Sequence, residues 1–188
     1  MSLKAMNWNN SHRQKHFKMF SFSDNRQRLS GTNIRDILKR CRQCYQLTDS
    51  GKNIFPVQHI MGIKFDKLKK SVFFLNANEH WLLACIFPRE RQCLIIDPLD
   101  IVKSWPNVIS IISSFCQAHS LQIFFFDFKF QRNTTQICGY LCLWVTFKVS
   151  QLSFLGILKL RNVLSPHPIS TNERAMMYSV YRHFRLKP

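Results

Sequence analysis

Cys138 is followed by Gly139 at the start of an apolar run, Ile137 to Val149, and stands seven positions after Gln131 in QRNTTQICGYLCLWV. A thiol in the first turn of a buried helix lies where unpaired backbone N–H groups concentrate partial positive charge, which favours thiolate over thiol. Gly139 permits a close backbone approach there. A second stretch, NEHWLLACIFPRERQCLIIDPL, supplies a histidine, His80, and a carboxylate, Asp97. An imidazole oriented by a carboxylate can take a thiol's proton. The side-chain amide of Gln131, with the backbone N–H of Cys138, can stabilise an oxyanion. The chemistry implied is thiolate attack on a carbonyl carbon. Each residue also has a bland reading: core thiol, strand-edge histidine, Asp-Pro turn, polar loop glutamine. The combination favours the chemical one.

The other six cysteines fit other roles. Cys85 and Cys93 alternate within strands, Cys116 sits in an apolar helix, and Cys142 lies one helical turn behind Cys138. Cys41 and Cys44 form a lone CxxC, read as one face of an amphipathic helix because no second pair stands at metal spacing; no metal site is expected. An odd number of cysteines without a secretory leader reads as reduced thiols in an intracellular protein.

The elements that must position these residues follow from periodicity. Thr32 is expected to cap a helix carrying Ile34, Ile37, Leu38, Cys41 and Tyr45, broken at Asp49-Ser50-Gly51. Ser71–Leu75, Trp81–Phe87 and Cys93–Ile96 read as short buried strands, the last two forming a hairpin across PRER. A turn centred between Pro88 and Arg89 sets His80 directly opposite Asp97, a position where a carboxylate has little structural purpose of its own. Trp105-Pro106 opens a helix through Phe115, Leu121–Phe130 reads as one strand, and a helix begins at Cys138. Ser170 and Glu173 form a capping box for a last helix bearing Ala175, Met176, Val180 and Phe184. Helices at both ends, with strands between, predict a single α+β domain over 31–188, preceded by a polar, basic, flexible arm over 1–30.

With 46% apolar residues in 188, the chain can bury a substantial core. The run at Ile137–Val149 is too short for a membrane span. Net charge is +17, with basic stretches at His12–Lys18, Arg35–Arg42, Lys64–Lys70 and Arg182–Lys187. Such a field attracts polyanions, so DNA is an expected partner, with Arg35, Lys39, Arg40, Arg42, Lys64, Lys67, Lys69 and Lys70 on that surface.

The order His-Trp, carboxylate-Pro, then Gln with Cys-Gly seven residues on, carried by EHWLLACIF, CLIIDPL and QRNTTQICGYLC, resembles the adenovirus endopeptidase (adenain) family of cysteine proteases. The ubiquitin-like-protein proteases are more distantly similar. The resemblance covers about residues 55 to 150. It implies a papain-like α+β domain in permuted order, with the nucleophile on a central helix beside the sheet. Cys138 would be the nucleophile, His80 the general base, Asp97 its orienting acid and Gln131 the oxyanion donor. Trp81 would line the substrate cleft and restrict residues before the cut to small ones. The implied activity is maturation of viral capsid and core precursors, in the host nucleus and virion, with no cofactor needed for the chemistry. DNA and a short peptide would be activators; Ser120 falls where the family carries the cysteine that bonds that peptide, so disulfide-linked activation is not expected. Two other readings stand beside this one: a deconjugating protease for ubiquitin-like modifiers, and a non-enzymatic basic nucleic-acid-binding structural protein.

Overall fold

The computed structural model describes residues 28–184 and Leu186; most of the expected basic arm lies outside them. The elements are helices α1 (Gly31–Leu38) and α2 (Arg42–Leu47), strands β1 (Ile54–Pro56), β2 (Ser71–Ala77), β3 (His80–Phe87) and β4 (Gln92–Ile96), helix α3 (Pro106–Ala118), strand β5 (Gln122–Phe125), and helices α4 (Cys138–Gln151), α5 (Phe154–Leu158), α6 (Leu160–Leu164) and α7 (Ile169–His183). The strands form one mixed sheet in the order β1-β2-β3-β4-β5. β2, β3 and β4 are antiparallel, and β1 and β5 run parallel to their neighbours. This is an α+β domain, and no helix among the described residues is long and apolar enough to cross a membrane.

β2 and β3 are apolar almost throughout because both faces of the sheet are covered. On one face Phe74, Trp81, Leu83, Cys85, Leu94 and Ile96 pack in the core shared with α1, α2, α4 and α7. On the other, Phe73, Leu75, Leu82, Ala84, Ile86 and Ile95 meet α3 and the 3₁₀ turn Val57–Gly62. α4 is apolar nearly all round, as a helix buried on all sides must be.

Four expectations need correction. The first helix is two. Arg40 N–H and Cys41 N–H bond three residues back, to Ile37 and Leu38, and Cys41 takes extended backbone as the α2 N-cap. That tightening ends α1, so Cys41 and Cys44 do not share one continuous helix face. The α1 N-cap is Ser30, not Thr32: its hydroxyl accepts from Asn33 N–H, and the Asn33 side chain accepts from Ser30 N–H. The strand expected over Leu121–Phe130 stops at Phe125. β5 runs beside β4, and once β4 turns off at Asp97-Pro98 the ladder has no further partner; Phe130 and Gln131 N–H donate instead to the Pro98 carbonyl. Finally, α7 begins at Ile169 without a side-chain cap, and Glu173 is buried rather than part of a capping box.

Candidate active site

A two-residue turn, Asn78-Glu79 with φ of +50° and +63°, joins β2 to β3 and leaves His80 as the first residue of β3, opposite Ala77. Positive φ at both central positions matches the twist of a tight hairpin. The β3–β4 register differs from expectation by two residues. Leu83 faces Ile96, so continuing the ladder sets Leu82, rather than His80, opposite Asp97. The cause is the connection, a 3₁₀ turn over Pro88–Glu90 followed by Arg91 at φ +53°.

A slip of two keeps every side chain on its own face, whereas a slip of one would not. His80 and Asp97 are therefore diagonal neighbours, and they meet: His80 Nε2 lies 2.6 Å from Asp97 Oδ1. The carboxylate is held from its other sides as well. Oδ1 accepts from Leu99 N–H at 2.9 Å, and Oδ2 accepts from Ile101 and Val102 N–H, each at 2.7 Å. Asp97 thus has a structural task that its sequence context did not suggest, closing the loop that follows β4.

β3 runs past the end of β4, so the backbone of Trp81 has no partner strand on that side. The first turn of α4 takes the vacant place. Trp81 N–H donates to Cys138 Sγ at 3.5 Å, and Cys142 Sγ–H donates to the Trp81 carbonyl at 3.5 Å. This brings the thiol from the α4 layer to the end of the sheet where His80 begins. With Nε2 committed to Asp97, Nδ1 is the ring nitrogen left to interact with the Cys138 thiol, which Trp81 N–H holds beside the start of β3. The thiol and the imidazole are 6% and 7% exposed. Gly139 allows a close approach here, since a Cβ would lie 3.0 Å from Leu29 Cβ and 3.3 Å from Trp81 Cδ1, so those side chains would have to give way.

Burial is the largest influence on His80 and opposes its charged form, but the hydrogen bonds to Asp97 and Cys138 and their charges outweigh it, raising the pKa to about 9. Burial likewise works against a Cys138 thiolate; the His80 hydrogen bond and charge, with the N–H groups of Trp81 and Gly139, bring its pKa below the ordinary 9.0. Asp97 follows the same pattern: burial opposes its charge, and His80 with the backbone donors holds the pKa below the ordinary value. Burial pushes the thiols of Cys44, Cys85 and Cys142 up. Both shifts move the Cys138–His80 pair toward thiolate and imidazolium.

Gln131 is 1% exposed, and its Nε2 donates to the Thr135 carbonyl at 2.6 Å. The opposite amide orientation would set two oxygens against each other. Its Oε1 is buried with no hydrogen-bond partner among the described residues. Trp81 packs edge-on against Phe74 and lines a surface cleft of about 530 Å³.

Sequence reasoning missed the parts that Glu173 and Trp105 play around the site. Glu173, 1% exposed on α7, accepts from Arg132 N–H at 2.7 Å, Arg132 Nε at 2.6 Å and Thr135 Oγ1 at 2.8 Å. It ties down the loop that delivers Cys138. Its spacing to Met176 and Val180 placed it on the apolar face of α7, a signal available in the sequence. Trp105 sets its ring edge-on to His80 at 6.0 Å.

The basic residues are divided in their contacts. Arg40, Arg42, Lys64 and Lys67 are exposed, and Lys64 shares a surface cleft of about 430 Å³ with Lys52 and Asp49. Lys39 and Lys69 pair with Asp36 and Asp66. Arg35 donates to the Gly51 carbonyl. Lys70 donates to the carbonyls of Val149 and Leu152 at the end of α4, which gives that ammonium a capping role. No protein-family model matches the chain, and no curated protein is detectably similar to it.

Proposed function

We propose that the protein is a cysteine endopeptidase of the adenain type, with a papain-like domain in permuted order, acting on viral capsid and core precursors. The observation that carries this reading is the 2.6 Å contact of Asp97 with His80, together with the N–H of Trp81, the next residue along β3, on the Cys138 thiol at the start of α4. Cys138 Sγ attacks the scissile carbonyl carbon while its proton resides on His80 Nδ1. The Cys138 backbone N–H and the second amide hydrogen of Gln131 stabilise the oxyanion. The C–N bond breaks as His80 protonates the leaving amine, forming a thioester. Water then attacks the thioester, His80 takes its proton, and the thiolate is released. Asp97 holds the ring and its charge throughout. The net charge of +17 supports DNA as an accessory partner.

The test is hydrolysis of glycine-containing peptides by the native chain and by Cys138→Ala, alongside a panel of ubiquitin-family conjugates. The reading predicts cleavage of the peptides, none by the variant, and a variant that stays folded by circular dichroism. Cleavage confined to the conjugates would favour the deconjugating protease. Peptidase activity retained in Cys138→Ala would end the proposal, and no cleavage of any substrate would favour a nucleic-acid-binding protein.

A further inference from the structure

The walls on either side of the buried thiol and imidazole are Glu79–Trp81 and Gln136–Gly139, and one short segment crosses both. Arg28 Nε donates to Gln136 Oε1 at 2.8 Å, and the same guanidinium pairs with Glu79. Trp81 Nε1 donates to the Leu29 carbonyl at 2.6 Å. The Leu29 side chain lies over Gly139, close enough that a Cβ there would sit 3.0 Å from Leu29 Cβ. From Leu29 the segment continues through Ser30 and Gly31, and these residues form a wall of the cleft of about 530 Å³ that Ile54, Phe55 and Trp81 also line.

These are contacts a bound peptide would make: a backbone carbonyl on an indole N–H, an apolar side chain on a glycine step, and a cation held between a carboxylate and an amide. We propose that Arg28-Leu29 is an internal pseudosubstrate occupying the peptide groove beside Cys138. The groove then takes an extended peptide with a cationic side chain followed by an apolar one, and a substrate must displace the strap. As an account of regulation this rests on the protease reading; as an account of thiol access it does not. The Arg28–Glu79 pair is solvent-exposed, 49% and 79%, so it holds weakly and is displaceable.

The experiment uses the full chain carrying Arg28→Glu and Leu29→Gly. Cys138 is labelled with a polymer-linked maleimide, too bulky to pass the strap, and with iodoacetamide, and the adduct is located by mass spectrometry. The bulky reagent should react about tenfold faster than with the native chain, a change of one decade in opening, while the small one changes less than about twofold. Acetyl-Arg-Leu-amide should slow the bulky reaction in the variant, and acetyl-Glu-Gly-amide should not. Equal bulky-reagent rates in native and variant chains, or equal effects of the two peptides, would overturn the proposal. If the double variant labels at every cysteine it has unfolded, and Arg28→Glu alone decides: acceleration supports the strap and a native rate overturns it. Accelerated labelling without any peptide hydrolysis would leave the strap standing and remove the protease reading.

Discussion

Asp97 accepts four hydrogen bonds, one from His80 and three from the loop Leu99–Val102. Asp97→Asn must turn an amide N–H toward one of those donors. Peptide hydrolysis should fall about 10²- to 10⁴-fold, with a stability loss of about 1–3 kcal/mol read from urea unfolding. Retained activity would show that the carboxylate does not orient the ring. The pair it supports also has a pH signature. His80, raised to about 9, contributes stability present below its ordinary 6.5 and lost as pH rises through about 9. Cys138, held below 9.0, has the opposite slope in that region. The two act in opposite directions, so the native chain should lose less stability toward pH 9 than the His80 shift alone would give, which unfolding in urea across that range checks. Asp97 contributes stability present above 3.8 and lost as pH falls through its depressed folded value.

At the scale of elements, the site depends on β3 outrunning β4, because the overhang gives the α4 start a backbone to bind. β2, β3, β4 and the Cys138 helix were legible from local pattern, whereas the three-residue β1 was too short to give one and β5 was read too long. The register was not, since it hinges on whether Arg91 adopts positive φ; parity alone preserved the His80–Asp97 meeting. The Gln131 amide direction was equally hidden, because it depends on where the Thr135 carbonyl lies. Glu173 secures that same loop from α7. Glu173→Gln should cost about 1–3 kcal/mol by weakening charge-assisted bonds. It should also lower kcat more than it changes KM, measured on one peptide. An unaltered kcat would make Glu173 a purely structural residue.

For the whole molecule, the α+β class was legible because helical and alternating apolar patterns are local, whereas the packing of two helical layers on one sheet joins residues far apart in sequence. Charge is a global property read directly from composition. Binding to duplex DNA of any sequence should weaken by about 10³-fold or more between 50 and 200 mM salt if six or more phosphates are neutralised. Fluorescence anisotropy across that range checks it, and salt-independent binding would contradict a polyanion surface.

The most direct measurement is the rate of iodoacetamide alkylation of Cys138 against pH, in the native chain and in His80→Ala. If the imidazole holds the thiol's proton, a thiolate titrates below the ordinary cysteine value in the native chain and moves upward in the variant. A Cys138 profile that is identical in the two proteins would contradict the pairing.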